Sequence, residues 1–238
     1  MQQHSYIARG GQIVDASIVT APTTRIKDEE RQAINRGDTS EGWGAKRMAH
    51  TDQDARWTRK HGKSFYGYKL HANVDAPYKL VRKLKISAAD VDDCQTLANV
   101  LDPSNMRSRV LADLGYDSGA NRDLLAAHDL HDGIARRTQA GKELGDRLKA
   151  RNRAISGTRA RVEHVFACLH QLGGKTVRAL TLARNTLAIA LKCVVYNVKR
   201  LVWLATRTIR HEMRIAAAAC RNNRFRSHEA ACRTLPPE

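Results

Sequence analysis

Cysteine pairs, aromatic residues and uninterrupted apolar runs are scarce in this chain. Only 5% of its 238 residues are aromatic, and its five cysteines form no CxxC pair. This pattern excludes a disulfide scaffold or an obvious zinc site and favours free thiols in a cytoplasmic protein. The most apolar stretch, residues 186–205, is interrupted by lysine, asparagine and arginine, which predicts a buried amphipathic helix and not a membrane span. A GxxxxGK[ST] phosphate loop is also missing, which argues against an NTPase.

Acidic residues are scarce in one half of the chain only. The whole chain has 41 Lys and Arg against 24 Asp and Glu, a formal net charge of +17. Residues 146–238 hold 19 of these basic residues and 5 of the acidic ones, so most of the excess lies there. Such a surface predicts a polyanionic partner, with nucleic acid favoured over a membrane. The same charge also fits a basic protein that binds RNA without chemistry.

Hydrophobic periodicity predicts an α/β fold in which a mixed sheet is covered by helices. We expect a core at residues 1–206 with a long loop at 21–63, followed by a basic, poorly packed tail at 207–238. The strands are predicted at 12–20, 64–74, 80–87, 108–114 and 133–137. The helices are predicted at 92–101, 119–128, 142–172 and 180–205.

Three carboxylates lie where carboxylates are costly. Asp15 lies within an apolar strand and Asp113 at the end of another, and a buried carboxylate normally binds a partner or a metal. Glu163 is the single acidic residue between positions 147 and 211. A helix that faces DNA should exclude carboxylates, so a retained one indicates a divalent cation between it and the phosphate. The ordinary alternatives are turn hydrogen bonds for the aspartates and an ion pair with Arg159 for Glu163.

These three carboxylates together predict a site for a hard cation. Mg²⁺ prefers oxygen ligands, and two ions about 3.5–4 Å apart can hold the attacking and the leaving oxygen of a phosphoryl transfer. No cluster of histidine and cysteine in the sequence indicates a softer metal.

Two further groups of residues are open to two interpretations each. Alternation places Lys69 and His71 on one face of a strand, which is either a phosphate-contacting surface or an ordinary solvated face. The run of Asp90, Asp92 and Asp93 either supplies a further metal ligand or begins a helix, whose dipole favours anions.

Five segments resemble the C-terminal two-thirds of insertion-sequence DDE transposases of family five, which are related to family four. The resemblance covers about residues 8–205, and it implies an RNase H-like mixed sheet flanked by helices, with a long C-terminal helical part. Asp15 would lie on its first strand, Asp113 after its fourth and Glu163 on the helix after the last. The segments are 10–19 (GGQIVDASIV), 63–71 (KSFYGYKLH), 87–93 (SAADVDD), 111–117 (LADLGYD) and 158–166 (TRARVEHVF).

The resemblance also implies an activity. Such a DNA transposase cleaves strands at insertion-sequence ends and transfers them to target DNA, using two Mg²⁺ ions or, alternatively, Mn²⁺. Asp15, Asp113 and Glu163 would be its catalytic, metal-binding residues, double-stranded DNA its partner and a homodimer its active form. The residues expected to contact DNA are Arg159, Lys69, His71 and His170.

Two departures from the family pattern affect what we expect of this chain. The family commonly has lysine where this sequence has His170, which is charged only near or below pH 6.5. Such transposases usually begin with a region that recognises the element ends, but Met1 lies fourteen residues before Asp15, so we expect a truncated copy. The alternatives are an inactive DNA-binding remnant and a different RNase H-like nuclease.

Overall fold

The computed structural model describes residues 10–23, 27–36, 38, 42–104, 107–138 and 142–232, with the side chains of the last helix described as far as residue 210. These residues form six strands and six helices, together with short 3₁₀ turns at 93–96 and 114–116. The strands are β1 (Gln12–Thr20), β2 (Arg56–Lys60), β3 (Lys63–Asp75), β4 (Val81–Ala88), β5 (Arg109–Ala112) and β6 (His131–Ile134). The helices are α1 (Asp28–Arg36), α2 (Ala45–Ala49), α3 (Leu97–Val100), α4 (Gly119–Ala127), α5 (Asp146–Gln171) and α6 (Leu182–Cys232).

The six strands form one mixed sheet around β1. On one side β1 pairs with β3 in antiparallel fashion, with Asp15 opposite Ala72. On the other side it pairs with β5 in parallel, with Ile13 opposite Leu111, and β6 extends this parallel half. The strand order is β2-β3-β1-β5-β6, and β4 also pairs with β3. The predicted mixed sheet with flanking helices and a C-terminal helical part is confirmed.

The two faces of β1 pack into two separate hydrophobic cores. Ile13 belongs to the core that contains Val162 and other apolar residues of α5 and α6. Val14 belongs to a second core with Leu125 of α4 and the apolar residues of α3. Successive side chains of a strand point to opposite faces, so Asp15, two residues after Ile13, points to the face that α5 covers.

The segment 21–63 is not the long loop that its polar composition predicted, because it contains α1, α2 and β2. β2 continues into β3 through a two-residue turn at His61 and Gly62, whose φ angles are +51° and +76°, as a type I′ hairpin requires. The helices are held by polar contacts: Glu30 accepts a hydrogen bond from Trp43 at 3.0 Å and pairs with Arg47 at 2.9 Å. Contacts between residues so far apart leave no periodic signal in the sequence.

The last helix is longer than predicted. α6 runs from Leu182 to Cys232, whereas the apolar pattern ended at 205. Residues 206–232 contain neither glycine nor proline, so nothing in their backbone chemistry ends the helix. The chain divides into two compact units, Met1–Asn197 and Val198–Glu238, while the prediction placed the boundary after residue 206. Residues 233–238 of the predicted tail lie outside the described residues. Across the described part, no helix combines the length and apolarity that crossing a membrane requires.

Candidate active site

Asp15 and Asp113 lie at the same level of neighbouring parallel strands. Asp15 follows Ile13 by two residues on β1, and Asp113 follows Leu111 by two residues at the end of β5, while Ile13 and Leu111 are paired. The two carboxylates therefore lie side by side where the parallel pairing of β1 with β5 ends, although 98 positions separate them in the sequence. The prediction that Asp113 follows the fourth strand is off by one strand, because β2 was not predicted.

Arg159 of α5 joins the two aspartates. Its Nη2 atom donates to Oδ2 of Asp15 at 2.9 Å and lies 3.9 Å from Oδ2 of Asp113. Backbone amides hold the other carboxylate oxygens, since Ala16 N donates to Asp15 and Gly115 N donates to Asp113, both at 2.8 Å. Each aspartate thus has a fixed orientation, and the pair shares one guanidinium.

The charge balance at this pair is incomplete. Burial raises the pKa of Asp15 above its usual range, Arg159 and the amide of Ala16 lower it, and the nearby charge of Asp113 raises it again, with burial the largest effect. The Nε atom of Arg159 is buried and has no hydrogen-bond partner among the described residues. The two carboxylates share one arginine, and burial raises the pKa of Asp15 by more than Arg159 lowers it. A divalent cation bound between the carboxylates would therefore be favoured.

Glu163 lies one helical turn after Arg159 on the same flank of α5. Its side chain is exposed, and no hydrogen bond or ion pair joins it to another described residue. Within the described ranges, no group of three or more His, Cys, Asp or Glu side chains is close enough to hold one ion. The structure therefore brings Asp15 and Asp113 together and leaves Glu163 on the neighbouring surface of α5. Binding of the Glu163 carboxylate to the same ion stays a prediction.

The predicted DNA contacts on β3 lie inside the protein. His71 has no exposed surface, and its ring nitrogens face the hydroxyls of Ser87 at 2.9 Å and Thr96 at 3.0 Å. Burial lowers the pKa of His71 to about 4, so the ring is neutral at pH 7. Lys69 binds the carbonyl of Val91 at 2.8 Å and Oδ1 of Asp93 at 3.1 Å. A phosphate contact at His71 does not fit this structure. Alternation indicated that Lys69 and His71 share a face of the strand, but it could not show that the 3₁₀ turn at 93–96 covers this face.

His170 lies further along the flank that carries Arg159 and Glu163. Its Nε2 atom is 3.5 Å from the hydroxyl of Ser17, which follows Asp15 by two residues on β1. Burial lowers the pKa of His170, and the charge of Lys175 lowers it further. The lowered pKa favours the neutral imidazole at pH 7.

Sequence reasoning did not single out Gly115, which follows Asp113 in the 3₁₀ turn. A Cβ atom at this position would lie 2.9 Å from Oδ1 of Asp113 and 3.2 Å from Oδ2 of Asp93. Only glycine leaves the space between these two carboxylates open. The sequence signal was present in the run of aspartates before α3, but it did not tell Asp93 from Asp90 and Asp92.

Comparison with known proteins assigns the chain to a family that fits this geometry. The model of the transposase DDE domain family matches residues 8–198, so the chain belongs to that family. Membership implies dependence on a divalent metal ion. The carboxylate pair and the open space at Gly115 suit such an ion.

One curated relative is the transposase for insertion sequence element IS1106 of Neisseria meningitidis serogroup B. It is 36% identical to the chain over 159 residues, which are 67% of this chain and 53% of that protein. The chain therefore spans about half the length of this relative. No solved structure matches the chain significantly.

Proposed function

We propose that the chain catalyses metal-dependent cleavage of DNA strands at insertion-sequence ends and their transfer to target DNA. The observation that carries this proposal is the meeting of Asp15 and Asp113 on one arginine of α5. That helix also presents Glu163, the single acid in a long basic stretch. Membership in the transposase DDE domain family supports the same chemistry.

Asp15, Asp113 and Glu163 would hold two Mg²⁺ ions, with Mn²⁺ as a substitute. Carboxylate oxygens are the ligands that Mg²⁺ prefers, and Mg²⁺ ordinarily retains waters and substrate phosphates beside a few carboxylates. When bound, the ions activate the attacking oxygen and stabilise charge on the leaving oxygen of the phosphodiester. The fixed orientations of Asp15 and Asp113 would limit the reorganisation that binding requires, while Glu163 completes the ligand set from the exposed flank of α5.

Arg159 would serve the site in two states. Without a divalent ion it neutralises part of the charge on Asp15 and Asp113, at 2.9 and 3.9 Å. A bound ion would replace the guanidinium as the counter-charge of the carboxylates, and Arg159 would then be free to bind a phosphate of the DNA. A planar guanidinium suits this second role because it can donate two parallel hydrogen bonds to phosphate oxygens. His170, neutral at pH 7, would add a hydrogen bond and no charge.

The proposed partner is double-stranded DNA, both the insertion-sequence ends and the target, with a homodimer as the active form. The surface of α5 offers the charge that DNA requires, since Glu163 is outnumbered there by basic residues. These basic residues are Arg147, Lys149, Arg151, Arg153, Arg159 and Arg161.

The test is cleavage of DNA by the purified chain in Mg²⁺ or Mn²⁺. We expect nicking of a supercoiled plasmid that EDTA abolishes and that is lost in Asp15→Asn, Asp113→Asn and Glu163→Gln. Asp146→Asn, an exposed acid at the start of α5, is the matched control and should nick like the wild type. Unchanged nicking in both aspartate variants would refute the proposal.

Strand transfer separates the proposed activity from its rivals. With DNA that carries the terminal repeats of an insertion sequence, a transposase joins the freed 3′ end to a second DNA molecule. Nicking without joined products would identify a different nuclease. Salt-sensitive DNA binding without any metal-dependent product would identify a binding protein.

A further inference from the structure

Asp93 lies beside the aspartate pair although it comes from the turn before α3. Its Oδ2 atom and Oδ1 of Asp113 lie 3.2 and 2.9 Å from the position of a Cβ on Gly115, so the two oxygens are within about 6 Å of each other. Any residue other than glycine at 115 would place a Cβ atom against both carboxylates. Two carboxylates at this separation can act on the same hydrated cation, one of them through a metal-bound water.

The two oxygens of Asp93 face different partners. Oδ1 faces the interior, where it pairs with Lys69 at 3.1 Å and lies 4.0 Å from the ring of His71. Lys69 is itself fixed by the carbonyl of Val91. Oδ2 faces Gly115 and Asp113. Lys69 therefore holds one side of the carboxylate and directs the other toward the candidate active site.

The three aspartates all act electrostatically on Tyr116, the residue that follows Gly115. Tyr116 is fully buried, and burial is the main reason that its pKa is raised. Asp93, Asp15 and Asp113 each raise that pKa further, with Asp93 contributing most among the three.

We propose that Asp93 is a fourth carboxylate of the metal site, oriented by Lys69 and acting on the ion that Asp113 binds. This inference rests on the proposed function, because it concerns the same ion. It also changes the interpretation of Lys69, which positions Asp93 and is not a DNA contact. Outer carboxylates of this kind, which fix a ligand or a bound water, typically change metal affinity by about 10- to 100-fold.

Mn²⁺ binding to the full-length chain tests the inference without reference to activity. The free Mn²⁺ signal in electron paramagnetic resonance is titrated against wild type, Asp93→Asn, Asp113→Asn and the control Asp92→Asn. We expect Asp93→Asn to bind Mn²⁺ about tenfold more weakly than wild type. Asp92 is exposed and is the neighbouring acid, so Asp92→Asn should bind like wild type.

Two further variants separate metal binding from a merely structural role. Gly115→Ala keeps Asp93 and Lys69 but fills the space between the carboxylates, and it should weaken Mn²⁺ binding as Asp93→Asn does. Lys69→Met keeps the carboxylate of Asp93 but removes the group that orients it, so it should weaken Mn²⁺ binding less than Asp93→Asn does.

The outcomes distinguish this inference from the proposed function. Wild-type affinity in Asp93→Asn together with lost binding in Asp113→Asn would overturn the inference and leave the proposed function standing. Equal weakening in Asp93→Asn and Lys69→Met would also overturn it, because Asp93 would then serve only as the partner of Lys69. Wild-type affinity in Asp113→Asn would refute the proposed function itself.

Discussion

Arg159→Met removes the charge that the two aspartates share while keeping most of the apolar stem of the side chain. The guanidinium pairs with Asp15 at 2.9 Å, and the two side chains are only 18% and 17% exposed. Breaking a fully buried ion pair costs about 3–5 kcal/mol, because it leaves a buried charge without a partner. Since this pair is slightly exposed, we expect about 2–3 kcal/mol of the free energy of unfolding to be lost at pH 7.

An upper limit follows from the chemistry of Asp15. A buried carboxylate that loses its partner can take up a proton and become neutral. For a group with the ordinary pKa of 3.8, protonation at pH 7 costs about 4 kcal/mol, which limits the loss of stability. At pH 5 the same protonation costs only about 1.6 kcal/mol. The raised pKa of Asp15 shows that burial already favours the protonated form, so the loss in Arg159→Met should shrink as the pH falls.

Urea unfolding in EDTA at pH 7 and pH 5, followed by circular dichroism, measures both effects. Arg153→Met, an exposed arginine on the same helix, is the matched control and should change stability by less than about 0.5 kcal/mol. Mn²⁺ at 100 times its dissociation constant adds about 2.7 kcal/mol and should largely restore Arg159→Met. Arg159→Met as stable as Arg153→Met would show that Arg159 does not stabilise the aspartates. A loss of stability that neither pH 5 nor Mn²⁺ reduces would show that the charge of Asp15 is not its cause.

Three other perturbations test the fold around the site. The pKa of His71 is about 4 in the fold against 6.5 ordinarily, so the unfolded chain binds the extra proton, and stability should fall by up to about 3 kcal/mol as the pH drops from 6.5 to 4. In His71→Gln that part of the pH dependence, measured by urea unfolding, should vanish. Leu169→Ala, 2% exposed, should lose about 2–5 kcal/mol, whereas Leu187→Ala, 62% exposed, should lose less than about 1 kcal/mol; equal losses would contradict the assigned core. Gly67→Ala should lower the melting temperature sharply, because φ is +151° and a Cβ atom would lie 2.2 Å from a carbonyl oxygen of β1. An unchanged melting temperature would show that the pairing of β1 with β3 is wrong.

The sheet and the positions of the aspartates could be predicted because they depend on local pattern. β1 begins and ends where predicted, since its β-branched residues lie between glycines and a proline. Asp15 and Asp113 stood out as carboxylates in apolar strands, and parallel pairing of β1 with β5 brings them together. The helical spacing of α5 likewise placed Arg159 and Glu163 on one flank.

What could not be predicted depends on contacts between distant segments. Alternation gave Lys69 and His71 a common face, but only the contact of the 3₁₀ turn at 93–96 with His71 shows that this face is covered. The convergence of Asp93 with Asp113 depends on two turns that meet at Gly115. The polar segment 21–63 gave no periodic signal, because its helices are fixed by pairs such as Glu30 with Arg47.

A crystal structure of the full chain with Mn²⁺, located by its anomalous scattering, would show whether the three carboxylates share an ion. We expect manganese at the carboxylates of Asp15 and Asp113, with the Glu163 carboxylate bound to the same site and Arg159 displaced from between the aspartates. Manganese bound there with Glu163 out of its reach, or no manganese at the two aspartates, would show that these residues do not form one metal site.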